Sequence, residues 1–416
     1  MVLLLKEIRI TGFTTMIFSL EMFKNMIILV FLWVYLATNN YSTVDGRITS
    51  ISRDHEDLEL ERQLKLINKP PLKTIQEDGY IVDCIDINKQ PAFDNPLLKN
   101  HKIQLKPSFE VTNTNSTRLS SIGFEEDLCP KGTIPIRRTT KDDLIRAKQL
   151  SYINVGILNK DIPGRHYAGL NLNIDDKRRY FAISGIINTY NLPVRHPDQI
   201  TSAYIYLSNG GSVHDKNVIM AGWEVHPKVF GDGKTYFFTR WADKSRNKGC
   251  TNFFCPGFVQ VEPSFHIGTP VVDTSTYNGK QFEMMVDISH DPKTNNWWVR
   301  LNNKNLGYYP GILFSNLAFA NLGGWTGMTS TPAGIPSPPM GSGHFPDNNI
   351  YRSCFFRTMN FQTDTRTNIG PKNHKYAVAS SDSPKCFGVQ YEGWNEDMQG
   401  YVMLFGDLVE IVVDNI

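Results

Sequence analysis

Residues 200–243 read ITSAYIYLSNGGSVHDKNVIMAGWEVHPKVFGDGKTYFFTRWAD, and this stretch decides the fold class. It contains three strand-length runs, SAYIYLS (202–208), NVIMAGWEV (217–225) and TYFFTRW (235–241), which are rich in aromatic and β-branched residues. Gly, Asn, Asp and Pro fill the intervals, and no helical pattern of ten or more residues separates the runs. Short strands joined by such turns favour antiparallel β-structure over a parallel α/β sheet.

The same pattern of short aromatic and β-branched runs separated by turn residues extends from about residue 165 to the C-terminus. Further strand-length runs are YFAISGII (180–187), GFVQV (257–261), QFEMMVDIS (281–289), NWWVRL (296–301) and YVMLFGDLVEIVV (401–413). The Pro- and Gly-rich stretch STPAGIPSPPMGSG (330–343) predicts one long loop between strands. We therefore predict an all-β main domain over residues 160–416, built as an antiparallel β-sandwich of two sheets.

A small helix-containing region precedes this domain, over residues 54–150. In DHEDLELERQLKLIN (54–68), Leu and Ile recur at helical spacing and two prolines follow. A second short helix is predicted in TTKDDLIRAKQL (139–150), where Thr140 can cap the helix and Asp143 stands in the capping-box position. Residues 72–128 lack sustained periodicity, which predicts an extended segment lying over another surface.

An apolar run near the N-terminus, MIILVFLWVYLA (26–37), has the length of a signal-peptide core and is short for a membrane span. We predict that residues 1–39 comprise an N-terminal extension and a signal peptide, with no membrane segment in the mature chain. A short membrane anchor is the alternative. The protein is then predicted to be secreted, to an extracellular, wall or vacuolar destination, with glycosylation sequons at Asn40 and Asn115.

Composition and cysteine count narrow the function classes. The 416 residues carry 43 Lys and Arg against 41 Asp and Glu, so no nucleic-acid partner is predicted. The six cysteines form no C-x-x-C zinc pairs, which in a secreted chain predicts disulfides and no metal site. Cys250 and Cys255 enclose a short loop suited to a local bond. The other four allow three pairings, of which we favour Cys84 with Cys129.

No common catalytic signature is present. The sequence contains no G-x-S-x-G elbow, H-E-x-x-H helix, Walker loop or dinucleotide fingerprint, and no cofactor is predicted. A pair of carboxylates remains chemically workable, because one acid can protonate a leaving group while the other activates water. The acids on strand-like segments are Glu224, Glu262, Glu283, Asp287 and Glu410. Tryptophans that either line a groove or fill the core are Trp223, Trp241, Trp297, Trp298 and Trp325.

Several strings, in order and from about residue 75 to the C-terminus, resemble the plant neprosin family. They are DGYIVDCIDINKQPAFDNPLLKNHKIQLKPS (78–108), CPKGTIPIRRTTKDDL (129–144), AGWEVHPKVFGDGKTYFFTRW (221–241), GCTNFFCPGFVQV (249–261), NNWWVRL (295–301), LGYYPGILFSNL (306–317) and MGSGHFPDNN (340–349). The resemblance implies an activation propeptide, placed at residues 54–150, followed by a two-sheet β-sandwich. It also implies an acid-acting glutamic endopeptidase that cleaves after proline, with two glutamates across a groove.

At both glutamate positions this chain departs from the family pattern. Met220 stands just before the A-G-W string, and Trp325 ends the string L-G-G-W where the family has W-G-G-E. Glu224 and Glu283 are weak substitute candidates. Glu224 lies four strand residues from the first position, about 13 Å away, which is outside the tolerance of a catalytic dyad. The resemblance therefore implies a member whose catalysis is impaired.

Other parts of the family's groove are retained. The resemblance implies substrate-binding roles for Trp223, Gln281, Trp297, Tyr308 and His344, with core packing or turn formation as the alternative. The disulfide pattern also departs from the family, since no cysteine follows Cys386. Cys354 and Cys386 are expected to pair.

The sequence thus predicts a secreted neprosin-like protein that resembles a proline-directed glutamic endopeptidase but is catalytically impaired. Its predicted partners are a peptide or proline-rich protein and its own propeptide. One alternative is an active prolyl endopeptidase with differently placed carboxylates, which Glu224 and Glu283 facing each other would support. The other is a non-enzymatic module for peptides or cell-wall polymers, which an open groove lined by Trp223 and Trp325 would support.

Overall fold

The computed structural model describes residues 57–77, 79–110, 116, 118–122, 129–146, 162–173, 178–212, 214–252 and 254–407. The chain divides into two compact units, Met1–Gln63 and Leu64–Ile416. The predicted signal peptide and the sequon asparagines Asn40 and Asn115 lie outside the described residues. Within the described ranges, no helix has the length and apolar character needed to span a membrane.

Both predicted helices are present. Residues 57–67 are helical, and a second helix runs from residue 141 to residue 146, where the described range ends. The capping box is confirmed, because the Asp143 N–H donates to Thr140 Oγ1 at 3.1 Å and the Thr140 N–H donates to Asp143 Oδ2 at 2.8 Å. Shorter helical turns cover Ile87–Lys89, Pro91–Asp94, Pro96–Leu98, Pro227–Phe230 and Gly311–Leu313.

Strands are the main regular secondary structure of the described residues. In chain order they are β1 (Lys73–Glu77), β2 (Tyr80–Asp86), β3 (Thr133–Arg137), β4 (Arg165–Leu172), β5 (Ala182–Asn188), β6 (Ile200–Asn209), β7 (Asn217–Val225), β8 (Thr235–Asp243), β9 (Lys248–Thr251), β10 (Val259–Gln260), β11 (Glu283–His290), β12 (Trp297–Leu301), β13 (Lys304–Tyr309), β14 (Leu322–Ser330), β15 (Cys354–Gln362), β16 (Asn368–Ile369), β17 (Ala377–Ser381), β18 (Phe387–Asn395) and β19 (Gly400–Asp407).

These strands build three antiparallel sheets. A small N-terminal sheet has the order β1-β2-β3. A seven-stranded sheet has the order β17-β4-β14-β6-β7-β8-β9, and a nine-stranded sheet has the order β10-β13-β12-β11-β5-β15-β19-β18, with β16 paired to β15. The two large sheets contact each other through β5, β6, β7, β11 and β14 on one side and β4, β17, β18 and β19 on the other, and they enclose one hydrophobic core. The predicted all-β sandwich is confirmed.

Alternation along each strand decides which residues reach this core. In β7, Ile219, Ala221 and Trp223 point inward, whereas Met220 belongs to a separate apolar cluster on the opposite face. Successive strand residues point to opposite faces, so Glu224 also lies on that outer face. The outer face of the seven-stranded sheet is therefore defined by every second residue of its strands.

Tryptophan side chains fill the space between the sheets. Trp223 and Trp325 are fully buried in the core, and each indole N–H donates to a backbone oxygen of β5, that of Asn188 or Ser184, at 2.9 Å. Burial of one such aromatic side chain stabilises a fold by about 1.5–3 kcal/mol. Core packing is therefore their role, and the predicted groove lined by these two rings is absent.

Two of the three predicted disulfides are confirmed. Cys84 and Cys129 are bonded with their Cα atoms 5.4 Å apart, and Cys250 and Cys255 with theirs 5.7 Å apart. The first bond ties β2 to the residues before β3, so it closes the extended segment between them into a loop.

The predicted bond between Cys354 and Cys386 is wrong, since both thiols are free. Cys354 lies level with Phe405 of β19, and Phe405 lies level with Val389 of β18. Cys386 is therefore separated from Cys354 by two strand spacings across the sheet and by three residues along the strand direction. That geometry puts their Cα atoms about 14 Å apart, well beyond the roughly 4.4–6.8 Å of a disulfide.

Candidate functional site

The outer face of the seven-stranded sheet carries an apolar layer of its own. Its buried members are Ile200, Tyr204, Tyr206, Val218, Met220, Phe238, Ala242 and Met328. They come from strands β6, β7, β8 and β14, which are neighbours in the sheet. This face is where the first of the two family glutamate positions lies.

Met220 and Trp325, the positions where the resemblance places the glutamates, point to opposite faces of this sheet. Gly324 is paired with Tyr206, and Tyr206 is paired with Met220. Residues directly opposed in antiparallel strands share a face, so Met220 and Gly324 point outward while Trp325 points into the core. Carboxylates at positions 220 and 325 would therefore be separated by the sheet itself, so the prediction that these two positions face one groove is wrong.

Glu224 shares the outer face with Met220, but its carboxylate is already paired. It accepts hydrogen bonds from Arg240 Nη2 at 3.2 and 3.3 Å, and His226 Nδ1 lies 4.0 Å from Oε1. All three side chains are buried. Burial raises the pKa of Glu224 although Arg240 opposes the shift, and burial lowers the pKa of His226 well below its ordinary value. Glu224 is thus held in a buried ion pair.

Glu283 lies on the outer face of the other large sheet. Its neighbour Met284 points into the core, so Glu283 points away from it. Arg357 donates two hydrogen bonds of 2.7 Å to its carboxylate, and Ser116 Oγ donates a third of 2.8 Å. Glu224 and Glu283 are therefore on opposite outer surfaces of the sandwich. The alternative in which these two acids face each other across a groove is wrong.

The remaining candidate acids have separate partners. Asp287 accepts a hydrogen bond from Ser289 Oγ at 2.5 Å, and burial raises its pKa. Glu262 accepts one from Ser264 Oγ at 2.5 Å. Glu410 lies outside the described residues. Across the described part of the chain, no group of three or more His, Cys, Asp or Glu side chains is placed to hold a metal ion.

A cavity of about 230 Å³, the tyrosine cavity, opens on the outer face of the seven-stranded sheet. It is lined by Tyr167, Gly169, Asn171, Tyr204, Tyr206, Lys216, Leu322, Thr326, Ser380, Ser381 and Asp382. Gly169 and Thr326 are paired across β4 and β14 and form a low floor, because neither carries a bulky side chain. Tyr204 and Tyr206 of β6 stand on one side of this floor, and residues 380–382 stand on the other.

Hydrogen bonds connect the two sides of the cavity. The Tyr206 hydroxyl donates to Asn171 Oδ1 at 2.7 Å, and Asn171 Nδ2 donates to Ser380 Oγ at 2.8 Å. This chain of polar groups crosses strands β6, β14, β4 and β17. The cavity wall is therefore held in place from both sides.

Asp382 is the carboxylate at the edge of the cavity. It accepts a hydrogen bond from the Tyr167 backbone N–H at 2.5 Å, and its Oδ2 lies 2.8 Å from His166 Nδ1. Burial alone would raise the pKa of Asp382, but these hydrogen bonds outweigh it and lower the pKa below its ordinary value. The carboxylate is consequently ionised at neutral pH.

The nine-stranded sheet carries a different feature, the covering segment, formed by the described parts of residues 87–122. Gln90 binds the edge strand β10 through its side-chain amide: the Gln260 N–H donates to Gln90 Oε1 at 2.8 Å, and Gln90 Nε2 donates to the Gln260 oxygen at 3.1 Å. At the other end, the Ser120 N–H donates to the Glu283 backbone oxygen at 2.8 Å. The extended segment predicted over residues 72–128 is therefore present only in part, because β1 and β2 at its start form a sheet with β3.

Asp291 holds the middle of the covering segment. Its carboxylate accepts hydrogen bonds from Ser108 Oγ at 2.5 Å, the Ser108 N–H at 2.7 Å and Gln104 Nε2 at 2.7 Å. Burial alone would raise the pKa of Asp291, but these donors outweigh it and lower the pKa to about 2. The carboxylate therefore stays ionised in mildly acidic solution and keeps its hydrogen bonds to the covering segment.

The five residues predicted to bind substrate do not share one cleft. Trp223 and Trp297 are core residues, and the Gln281 amide donates to backbone oxygens of its own loop. The Tyr308 hydroxyl accepts a backbone N–H of the covering segment at 2.9 Å. The His344 ring stacks on a neighbouring tyrosine with centroids 3.6 Å apart. The prediction that they form a groove together has no support in this arrangement.

The sequence analysis missed the tyrosine cavity. One signal was available, since Tyr204 and Tyr206 alternate in SAYIYLS and must therefore share a face. That this face is the outer one depends on how β6 pairs with β14. The approach of Asp382 depends on the pairing of β17 with β4, which lies more than 200 residues away in sequence.

Comparisons with known proteins give matches to two family models and to solved structures. A family model described as Neprosin matches residues 197–407, and one described as Neprosin activation peptide matches residues 74–184. Two solved structures of scytalido-glutamic peptidase, one with a peptide-based transition state analog and one with a transition state analog inhibitor, are 9% identical to this chain. Each match covers 59% of this chain and 98% of the other, with TM-scores of 0.34 and 0.33. Similarity at that level carries no argument about function.

Proposed function

The chain belongs to the neprosin family, and from that premise we propose that it is a secreted member that binds peptides on the outer face of its seven-stranded sheet without hydrolysing them. The observation that carries the proposal is that Met220 occupies the outer-face position where the resemblance places the first glutamate, while Trp325 points into the core. Neither residue has an ionisable side chain. The acid and base that a glutamic peptidase needs are thus missing from both positions.

The two acids that remain on this face, Glu224 and Asp382, cannot act as a pair, because four strand spacings, about 19 Å, separate them. Hydrolysis of a peptide needs one group that takes a proton from water and one that gives a proton to the leaving amine. Glu224 is enclosed with Arg240, 1% exposed, and out of reach of a substrate on the surface. Groups that act as a unit in catalysis fail together, so the absence of both glutamates removes nearly all of the rate enhancement.

The outer face of the seven-stranded sheet has features that favour peptide binding. Tyr206 is paired directly with Met220, so the tyrosine cavity begins one strand away from the first family glutamate position. It presents aromatic rings, amide and hydroxyl groups and one ionised carboxylate, which is a usual mixture for a site that orients a ligand. A peptide can therefore lie across this face without an acid pair beside its backbone.

Cleavage and binding are tested together on the full-length secreted protein. The protein is incubated from pH 3 to pH 7 with a proline-rich protein substrate, and new termini are identified by mass spectrometry. Binding of fluorescent peptides from the same substrate is followed by anisotropy. Matched samples carry Glu224→Gln or Thr326→Ile, of which the second narrows the floor of the tyrosine cavity without changing charge.

We expect peptide binding that Thr326→Ile weakens and Glu224→Gln leaves unchanged, and no new termini at any pH. Cleavage after proline by the unaltered protein would refute the proposal that the protein does not hydrolyse peptides. Loss of that cleavage in Glu224→Gln would then identify Glu224 as the acid responsible. Absence of both binding and cleavage would overturn the peptide-binding proposal.

The proposal includes secretion and the chain's own activation peptide as an intramolecular partner. Two disulfides support passage through an oxidising compartment, where such bonds form and persist. The match of the activation-peptide model to residues 74–184 includes the covering segment. Recovery of the protein from culture medium, with its new N-terminus beyond residue 39, is the expected result, and retention inside the cell would contradict it.

A further inference from the structure

We propose that a second, smaller cavity binds one small monovalent anion, chloride in particular. This cavity, the seam cavity, has a volume of about 30 Å³. Residues 137–139 and Asp143 line one side of it, and side chains from the chain between Phe230 and Gly268 line the other. The first side lies within the match to the activation-peptide model and the second within the match to the Neprosin model. An anion bound there joins the two matched parts of the chain, and this inference does not depend on peptide binding.

The Asn252 side-chain amide supplies a buried hydrogen-bond donor to the seam cavity. Asn252 is 4% exposed, and its Oδ1 accepts the Thr239 backbone N–H at 3.0 Å, so the nitrogen of the amide points the other way. A Cβ atom built on Gly268, which also lines the cavity, would lie 3.9 Å from Asn252 Nδ2. Among the described residues this nitrogen has no hydrogen-bond partner. A buried N–H group without an acceptor is costly, so a ligand that accepts its hydrogen bond is favoured there.

Arg137 brings a positive charge to the same cavity. Its Nη2 lies 3.9 Å from Asp143 Oδ1, which is too long for a hydrogen bond. Arg138, by contrast, is bound to Asp83 through two hydrogen bonds of 2.6 Å. Arg137 is therefore the guanidinium that is placed to pair with an anion in the cavity.

Asp143 also lines the seam cavity, but both of its carboxylate oxygens accept hydrogen bonds. Oδ2 accepts the Thr140 N–H and the Thr140 hydroxyl at 2.8 Å each, and Oδ1 accepts Arg146 Nη2. The charged groups that line the cavity or pair with its lining are three arginines and two aspartates, which leaves one net positive charge. The balance of charge therefore favours an anion.

The size and the walls of the cavity select a single small ion. About 30 Å³ is close to the roughly 30 Å³ that one water occupies in the liquid, and chloride is little larger than a water molecule. Sulfate and phosphate are too large for this space. Phe230, Phe254 and Ile267 provide apolar walls, which suit weakly hydrated chloride better than strongly hydrated fluoride.

The test measures thermal unfolding of the full-length protein by circular dichroism at pH 7.5. Sodium chloride is exchanged for sodium fluoride at one total salt concentration, so that ionic screening stays constant. Asn252→Asp keeps the acceptor for Thr239 and replaces the amide donor by an oxygen, whereas Arg137→Gln removes the charge. Asn278→Asp is the matched control, because Asn278 is exposed and shares the positive φ of Asn252, 54° against 51°.

We expect the unfolding midpoint to rise by about 2–4 °C between about 5 mM and about 500 mM chloride, because a ligand of the folded state stabilises it by mass action. Asn278→Asp should respond equally and Asn252→Asp not at all, and Arg137→Gln should need at least about tenfold more chloride for the same rise. Crystals soaked in bromide should show an anomalous scattering peak between Asn252 and Arg137. Amide hydrogen exchange in β3 and in residues 141–146 should slow in chloride.

A rise of the same size in Asn252→Asp would overturn the proposal, because a general effect of chloride needs no site. So would a midpoint that does not respond to chloride, or bromide-soaked crystals without a peak in the seam cavity, since water alone would then serve Asn252. Exchange that slows elsewhere but not in β3 or residues 141–146 would refute the joining role of the anion. None of these results bears on peptide binding at the outer face, which the anisotropy assay measures separately.

Discussion

Replacement of Asp407 by asparagine should stabilise the protein, and by more at high pH than at low pH. The Asp407 side chain is 7% exposed, and its Oδ1 atom has no hydrogen-bond partner. Burial raises its pKa from the ordinary 3.8 to about 7, and a backbone N–H from Met340 offsets only part of the shift. A carboxyl that binds its proton more tightly in the folded state destabilises the fold increasingly as the pH rises from 3.8 to about 7.

The size of the effect follows from these two values. A difference from 3.8 to about 7, at 1.36 kcal/mol for each pH unit, amounts to about 4 kcal/mol above pH 7. At pH 5 the folded group is protonated and the unfolded one is ionised, so the cost is about 1.5 kcal/mol. Asparagine has the same shape and does not titrate. Asp407→Asn should therefore gain about 4 kcal/mol at pH 8, about 1.5 kcal/mol at pH 5 and almost nothing at pH 3.

Equilibrium unfolding in urea, followed by tryptophan fluorescence at these three pH values, measures the gain. Asp382→Asn is the control with the opposite sign, because hydrogen bonds outweigh burial and lower the pKa of Asp382. That variant should be less stable than the unaltered protein at pH 8, and the difference should shrink as the pH falls below the ordinary value. A gain in Asp407→Asn that does not change with pH would refute the reasoning, because a packing effect has no such dependence.

Three further predictions concern the covering segment, the core and a disulfide. Asp291→Asn should destabilise the attachment of the covering segment by about 1–2 kcal/mol at pH 6. Because the folded pKa of Asp291, about 2, lies below the ordinary 3.8, the contribution of Asp291 to stability is complete above about pH 4 and is lost as the pH falls towards 2. Amide hydrogen exchange in the covering segment measures this dependence. A Met220→Glu/Trp325→Glu double variant should not cleave the proline-rich substrate, as followed by mass spectrometry, because its two new carboxylates point to opposite faces of the sheet. Cleavage by this variant would contradict the observed pairing register of β14, β6 and β7. Loss of the Cys84–Cys129 bond, which spans 45 residues, should cost about 3–4 kcal/mol in urea unfolding, and an unchanged midpoint would contradict a role in stability.

Features that depend on neighbouring residues were predictable from the sequence. The capping box of Thr140 and Asp143 needs a spacing of three residues, and the Cys250–Cys255 bond closes a short loop. Strand-length runs with turn residues between them predicted the all-β sandwich for the same reason. Each of these features is determined by residues that lie close together in the sequence.

Features that depend on register between distant strands were not predictable. Whether Trp325 shares a face with Met220 depends on the pairing of β14 with β6 and of β6 with β7, and a shift of one residue would reverse the answer. The expected bond from Cys354 to Cys386 failed because β19 lies between their strands, which no local pattern reveals. The tyrosine cavity combines β4, β14, β6 and the residues after β17, so it exists only once the sheet is assembled.

The contact between Gln90 and the edge strand β10 has a consequence for solubility. An unpaired sheet edge is a template on which another chain can add a strand, and proteins commonly protect their edges with side chains or covering loops. Here one side-chain amide occupies both the N–H and the oxygen of Gln260. A chain that has lost the covering segment exposes that edge, and its tendency to aggregate should therefore rise with protein concentration.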